Sequence, residues 1–148
     1  MNLKMRKNYT YILFSLLGAG VVLWQLLASG YVLTLDMVFG PHVGVVKNIG
    51  GILHTLPMLY TLSFLSLVFG GWVAQKILLI TIFFLLFYFP LHFLKKIFNI
   101  ENTYGAEYIM SMFFAINPFI YERFLAGQLD VIIGYILLLP IVAYLIQF

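Results

Sequence analysis

Four mainly apolar runs, at residues 9–28, 77–94, 104–121 and 131–148, each hold 18 to 20 residues. A helix rises 1.5 Å per residue, so about 20 residues cross the roughly 30 Å hydrocarbon core of a bilayer. A single segment can satisfy all its backbone hydrogen bonds in lipid only as a helix, which sets the secondary structure of each run. Hydrophobic residues make up 64% of the 148 and charged residues 9%, where a soluble domain averages about 25% charged. One soluble core of this size has no room for so much apolar surface. The expected fold class is therefore all-α, a polytopic transmembrane helix bundle with four spans, forming a single domain over 1–148. A fifth run, 54–69 (HTLPMLYTLSFLSLVF), has only 16 residues and starts around a proline. It is expected as a re-entrant or interfacial segment, or else as an additional span.

The net charge is +3 and the basic residues sit at the ends of apolar runs. That is how membrane topology is signalled, and it is unlike a nucleic-acid surface. Lys4, Arg6 and Lys7 place the N-terminus in the cytoplasm, making the expected product a multi-pass plasma-membrane protein. The basic head and the small residues Ala28-Ser29-Gly30 also resemble a secretory signal. The apolar part is longer than the about 7–15 residues of a signal peptide's apolar region, so it reads as a retained first helix. If 54–69 does not cross, Lys95 and Lys96 fall inside, 95–103 is a cytoplasmic loop, and a long loop at about 29–71 and another at 117–130 lie outside. If it crosses, the two lysines end up outside, against the charge rule. The final run reaches Phe148 without a polar tail, so the chain is expected to be the N-terminal portion of a longer membrane domain. With no cysteine, disulfides and thiolate metal sites are excluded.

Two polar islands interrupt the grease. The first lies in GYVLTLDMVFGPHVG, where Asp36 is the sole acid of the first 100 residues. The Gly40-Pro41 turn directs Asp36 and His42 toward the membrane surface. An ionisable group at the hydrocarbon boundary is costly and is a functional candidate; the other reading is an N-cap for a helix starting at Met37. The second island is NPFIYERFLAGQLD, 117–130. Asn117-Pro118 ends or kinks the preceding helix. A helix beyond it sets Phe119, Arg123 and Gly127 on one face, with Phe124 and Gln128 on another. Gly127 then breaks that helix and opens backbone N–H groups beside Gln128. The planar fork of Arg123 suits a phosphate or carboxylate; the alternative is a Glu122–Arg123–Asp130 cluster that only solvates a loop. His42, His54 and His92 lack metal-ligand spacing and read as structural, and a divalent metal between Asp36 and His42 stays open without a motif behind it. Gly50-Gly51 and Gly70-Gly71 read as turns, and TIFFLLFYFP as lipid-facing or packing surface. There is no phosphate-binding glycine loop, Ser/His/Asp spacing or zinc signature to support soluble-type hydrolase chemistry.

Together the islands resemble the GT-C superfamily of polytopic glycosyltransferases, in which an Asp just past the first membrane helix heads a long extracytoplasmic loop. NPFIYERFLAGQLDVIIGYILLLP resembles the Asn-Pro…Gly-Gln…Leu-Leu-Pro pattern of bacterial and archaeal members, including arabinofuranosyltransferase-like and mannosyltransferase-like branches. FGGWVAQKILLITIFFLLF is similar to their second-helix region, so the likeness covers about 30–140. The chain departs from the family in its length, since members run to several hundred residues, and in carrying Asp36 alone where many carry two acids. The resemblance implies inverting transfer of a sugar from a polyprenyl-phosphate donor to a hydroxyl of a glycan or lipid acceptor, outside the cytoplasmic membrane. It implies Asp36 as general base and Arg123 as partner of the leaving phosphate. Gln128, Glu122, Asp130 and His42 are the further candidates for holding phosphate or sugar. Lys47 and Lys76 would add a positive field for the lipid head group, and the lipid tail would lie in a groove between helices. Two other classes remain: a transporter or lipid flippase, although no internal repeat is visible, and a non-catalytic membrane subunit, which suits the short length. A further subunit or a missing C-terminal region would be the protein partner, and no nucleic acid is expected.

Overall fold

The computed structural model describes residues 3–36, 56–98 and 105–147. Among these residues all regular structure is helical: α1 (Leu3–Leu23) with a 3-10 turn at Trp24–Leu27, α2 (Leu56–Phe69), α3 (Gly71–Phe98), α4 (Ala106–Ala115), α5 (Pro118–Ala126) and α6 (Leu129–Gln147). Among the described residues three stretches are long and apolar enough to cross a membrane: Asn8–Leu27, Gly71–Leu94 and Leu129–Ile146. They coincide with three of the four expected spans.

The run 104–121 is not one span, which corrects the sequence expectation. Its described part is divided between α4 and α5. The ten residues of α4 rise only about 15 Å. Pro118 has no N–H to continue a helix and pushes the residue before it out of the α region. Asn117 accordingly takes an extended backbone (φ −137°, ψ 161°). Its Oδ1 accepts the Ile120 N–H at 3.1 Å, and its Nδ2 donates to the Phe114 carbonyl at 2.7 Å. One side chain thus closes the start of α5 and the end of α4.

The fifth run forms α2, whose 14 residues rise about 21 Å, short of a full crossing. Gly70, at φ 85°, makes the corner into α3, a left-handed conformation that glycine adopts without steric cost. Leu62 of α2 is buried in the common core.

α3 is the centre of the bundle, touching α1, α2, α4 and α6. TIFFLLFYFP is therefore largely packing surface, with Ile82, Phe83, Leu86, Phe87 and Pro90 buried. Along α1, Tyr11, Ser15, Ala19 and Leu23 are buried at a spacing of four, while Leu13, Leu16, Leu17 and Val21 face outward, as does Trp24 of the 3-10 turn. Small residues on the inner stripe let helix backbones approach closely in a medium where apolar burial gives no drive to associate. In the turn of α3 before Pro90, the Phe87 carbonyl accepts the Ser111 hydroxyl of α4 at 2.5 Å.

A Cβ placed on Gly18 would lie 3.0 Å from the Phe87 ring, whereas one on Gly20 meets nothing within 4 Å. Phe87 is buried and braced edge-on by Phe14, so its ring has little freedom to yield. Gly18→Leu is expected to cost about 1–3 kcal/mol by overpacking, and Gly20→Leu to be near neutral. Thermal unfolding in detergent checks the pair: equal melting temperatures would show that α1 does not pack through Gly18.

Candidate functional site

After the 3-10 turn the chain bends at 28–30 and runs through irregular backbone to a second bend at Leu35 and Asp36. Val32 is gripped at both backbone groups by Gln75 of α3. Its N–H donates to Gln75 Oε1 at 2.9 Å, and Gln75 Nε2 donates to its carbonyl at 2.6 Å. The neighbouring Lys76 ammonium donates to the Leu26 carbonyl, where a cation favours the C-terminal end of a helical turn. Lys76 is buried. It is thus turned inward, in place of the expected field toward lipid head groups. Lys47 lies outside the described residues.

The stretch ends on α5: the Asp36 N–H donates to the Ala126 carbonyl at 2.9 Å. α5 closes with Gly127 at φ 81°. The Gly127 N–H meets the Phe124 carbonyl at 3.0 Å and the Gln128 N–H meets the Arg123 carbonyl at 2.9 Å. This is a Schellman closure, which only a residue tolerant of left-handed backbone completes cheaply. The N–H groups expected to open toward a ligand are therefore occupied.

Three side chains form a line across this turn. Arg123 Nη1 donates to Gln128 Oε1 at 2.7 Å. That bond fixes the amide, so Gln128 Nε2 faces Asp36 and donates to its Oδ2 at 3.5 Å, the long limit of a hydrogen bond. The guanidinium also sits over the Phe119 ring, 5.7 Å from its centroid, a cation–π contact. Arg123 Nε and Thr34 Oγ1 are shielded from solvent and have no hydrogen-bond partner among the described residues. The Asp36 side chain is exposed while Arg123 is half-buried, so the acid meets water and the cation is recessed behind it. Arg123 and Asp36 do not need to neutralise each other, because the amide stands between them.

Of the other candidates, Glu122 is exposed on α5, and Asp130 lies in the first turn of α6, where a carboxylate complements the helix dipole. His42 and His54 lie outside the described residues. His92 stacks on Tyr88 far along α3, 5.6 Å between ring centres. Among the described residues no group of three or more His, Cys, Asp or Glu is gathered to hold a metal ion.

An apolar cavity of about 760 Å³ lies between the end of α1 and α5, with Leu23, Leu26, Phe83, Pro118, Ile120 and Phe124 in its wall. Ile120 and Phe124 stand on the same short helix as Arg123, but the guanidinium lies over Phe119 on another face, and Asp36, Arg123 and Gln128 are not in the cavity wall. Two polar residues escaped the sequence reading. Gln75 forms, with Lys76, the one polar pair in the apolar stretch 72–94, and that interruption was the available signal. Glu107 is buried at the opposite end of the bundle, where the Tyr11 hydroxyl donates to its Oε1 at 3.3 Å. No family model, curated protein or solved structure matches the chain.

Proposed function

We propose that the protein is an integral membrane glycosyltransferase of GT-C type, or the N-terminal part of one. It transfers a sugar from a polyprenyl-phosphate donor to an acceptor hydroxyl. The observation that supports this reading is the meeting of Asp36 with Gln128 and Arg123, 92 positions apart for the Asp36–Gln128 pair. In this reading the acceptor arrives from water at the exposed carboxylate and the donor phosphate sits at the recessed guanidinium. Asp36 takes the hydroxyl proton as the acceptor oxygen bonds to the anomeric carbon. The bond from that carbon to the phosphate oxygen breaks, its electron pair leaves with the polyprenyl phosphate, and the anomeric centre inverts. Arg123 stabilises the charge gained by the phosphate, which is larger in the transition state than in the bound donor. The site faces outward from the plasma membrane and the N-terminus lies in the cytoplasm, as the basic residues at 4, 6 and 7 favour.

The test is transfer by the purified protein in lipid nanodiscs. Polyprenyl-phosphate donors carrying a radiolabelled pentose or hexose are supplied with glycan and lipid acceptors. The expected result is label in a covalent product of inverted configuration, with equimolar release of polyprenyl phosphate. Intact donor with both sugar classes would overturn the reading. So would movement of the labelled lipid across vesicles without a covalent product, the signature of a flippase.

A further inference from the structure

The segment that carries Asp36 has an unusual support. Leu33 and Leu35 are 67% and 83% exposed, so burial of their side chains does not hold it. Its fixed points are Val32, bonded twice to Gln75 and packed by its side chain against the core, and the Asp36 N–H on the Ala126 carbonyl. Gln75 is fully buried and engages the N–H and C=O of one residue, as a neighbouring strand would. Asp36 lies four residues along the chain from this grip. We propose that Gln75 is a positioning residue, which sets where Asp36 stands relative to Gln128 and Arg123. The consequence for catalysis rests on the transferase reading; the geometric consequence does not.

The chemistry of the grip supplies its own test. Gln75→Leu has similar size and no polar atom, so it releases both groups of Val32. Gln75→Glu in its protonated form offers one O–H donor and one carbonyl acceptor, the same pair as the amide. Ionised, it presents acceptors alone, one of them to the Val32 carbonyl. The charged group beside it is the Lys76 ammonium, bonded to the Leu26 carbonyl. Gln75→Glu should match the parent where the carboxyl is protonated, at low pH, and release the segment where it is ionised, as pH rises.

The chain has no cysteine, so nitroxide labels can be placed at Leu35→Cys and Glu122→Cys, both exposed positions. Their separation is then read by pulsed dipolar spectroscopy in nanodiscs. The expected result is a narrow distance distribution in the parent and a broad one in Gln75→Leu. In Gln75→Glu it should broaden reversibly between about pH 5 and pH 10. An unchanged distribution in Gln75→Leu would overturn the proposal. If that variant does not fold, a Gln75→Glu distribution that stays narrow to pH 10 would do so. In the transfer assay Gln75→Leu should lower kcat about 100-fold, with donor KM within about twofold, as misplacement of a reacting group does. Broadening with no transfer by any protein sinks the transferase reading and leaves Gln75 standing. Transfer with no broadening does the reverse.

Discussion

Asp36→Asn is expected to lower the rate of sugar transfer by about 10²–10⁴-fold while the protein still inserts and folds. An amide has the shape of the carboxylate but cannot accept the hydroxyl proton as the acceptor attacks. The structural cost should be small. The Asp36 side chain is exposed, its bond from Gln128 is long at 3.5 Å, and the bond that seats the segment uses its backbone N–H. Surface changes of this kind stay within about 0.5 kcal/mol. Single-turnover transfer, read beside the melting temperature, separates the two effects. An Asp36→Asn protein that transfers within about twofold of the parent has no need of this base.

Arg123→Met should reduce kcat by about 10²–10³-fold, the range for removing one preorganised partner of transition-state charge. The loss should fall on kcat more than on acceptor KM, because the charge on the phosphate grows only as the bond breaks. Arg123→Lys should recover part of it at most. A lysine ammonium can bond Gln128 or meet the phosphate, but it lacks the rigid fork that serves two partners at once. The residue also has a structural share, since it holds Gln128 at 2.7 Å and covers Phe119. Melting temperatures measured in parallel remove that share. Full activity in Arg123→Met would mean that the leaving phosphate is stabilised by another group.

Length and hydropathy made α1, α3 and α6 legible, because in lipid an apolar run of about 20 residues has no alternative to a helix. The same criterion failed at 104–121. Hydropathy scores Asn117-Pro118 as a small dip, whereas the backbone meets a missing donor and a forbidden conformation at that point. The types of Asp36, Arg123 and Gln128 drew notice, and the charge rule set them on one side. Their contact depends on how α1, α3 and α5 pack, which no local pattern encodes. Gly127 was rightly read as a helix breaker, yet its closure uses the very N–H groups that seemed available. Gln75 was hardest to read, because its partner is the backbone of Val32, and backbone groups look alike at every position.

The break at Asn117 has a consequence for biogenesis. α4 and α5, at 10 and 9 residues, are each about half of what a hydrophobic segment needs to partition into a bilayer alone. Where they meet, Asn117 bonds one helix-end carbonyl and one helix-end N–H. Such a pair gains its place from neighbouring helices, and the bonds that receive it come from earlier in the chain, at the Phe87 carbonyl and the Asp36 N–H. Residues 106–126 are therefore expected to settle against a template made by α1 and α3, in the order in which the ribosome delivers them.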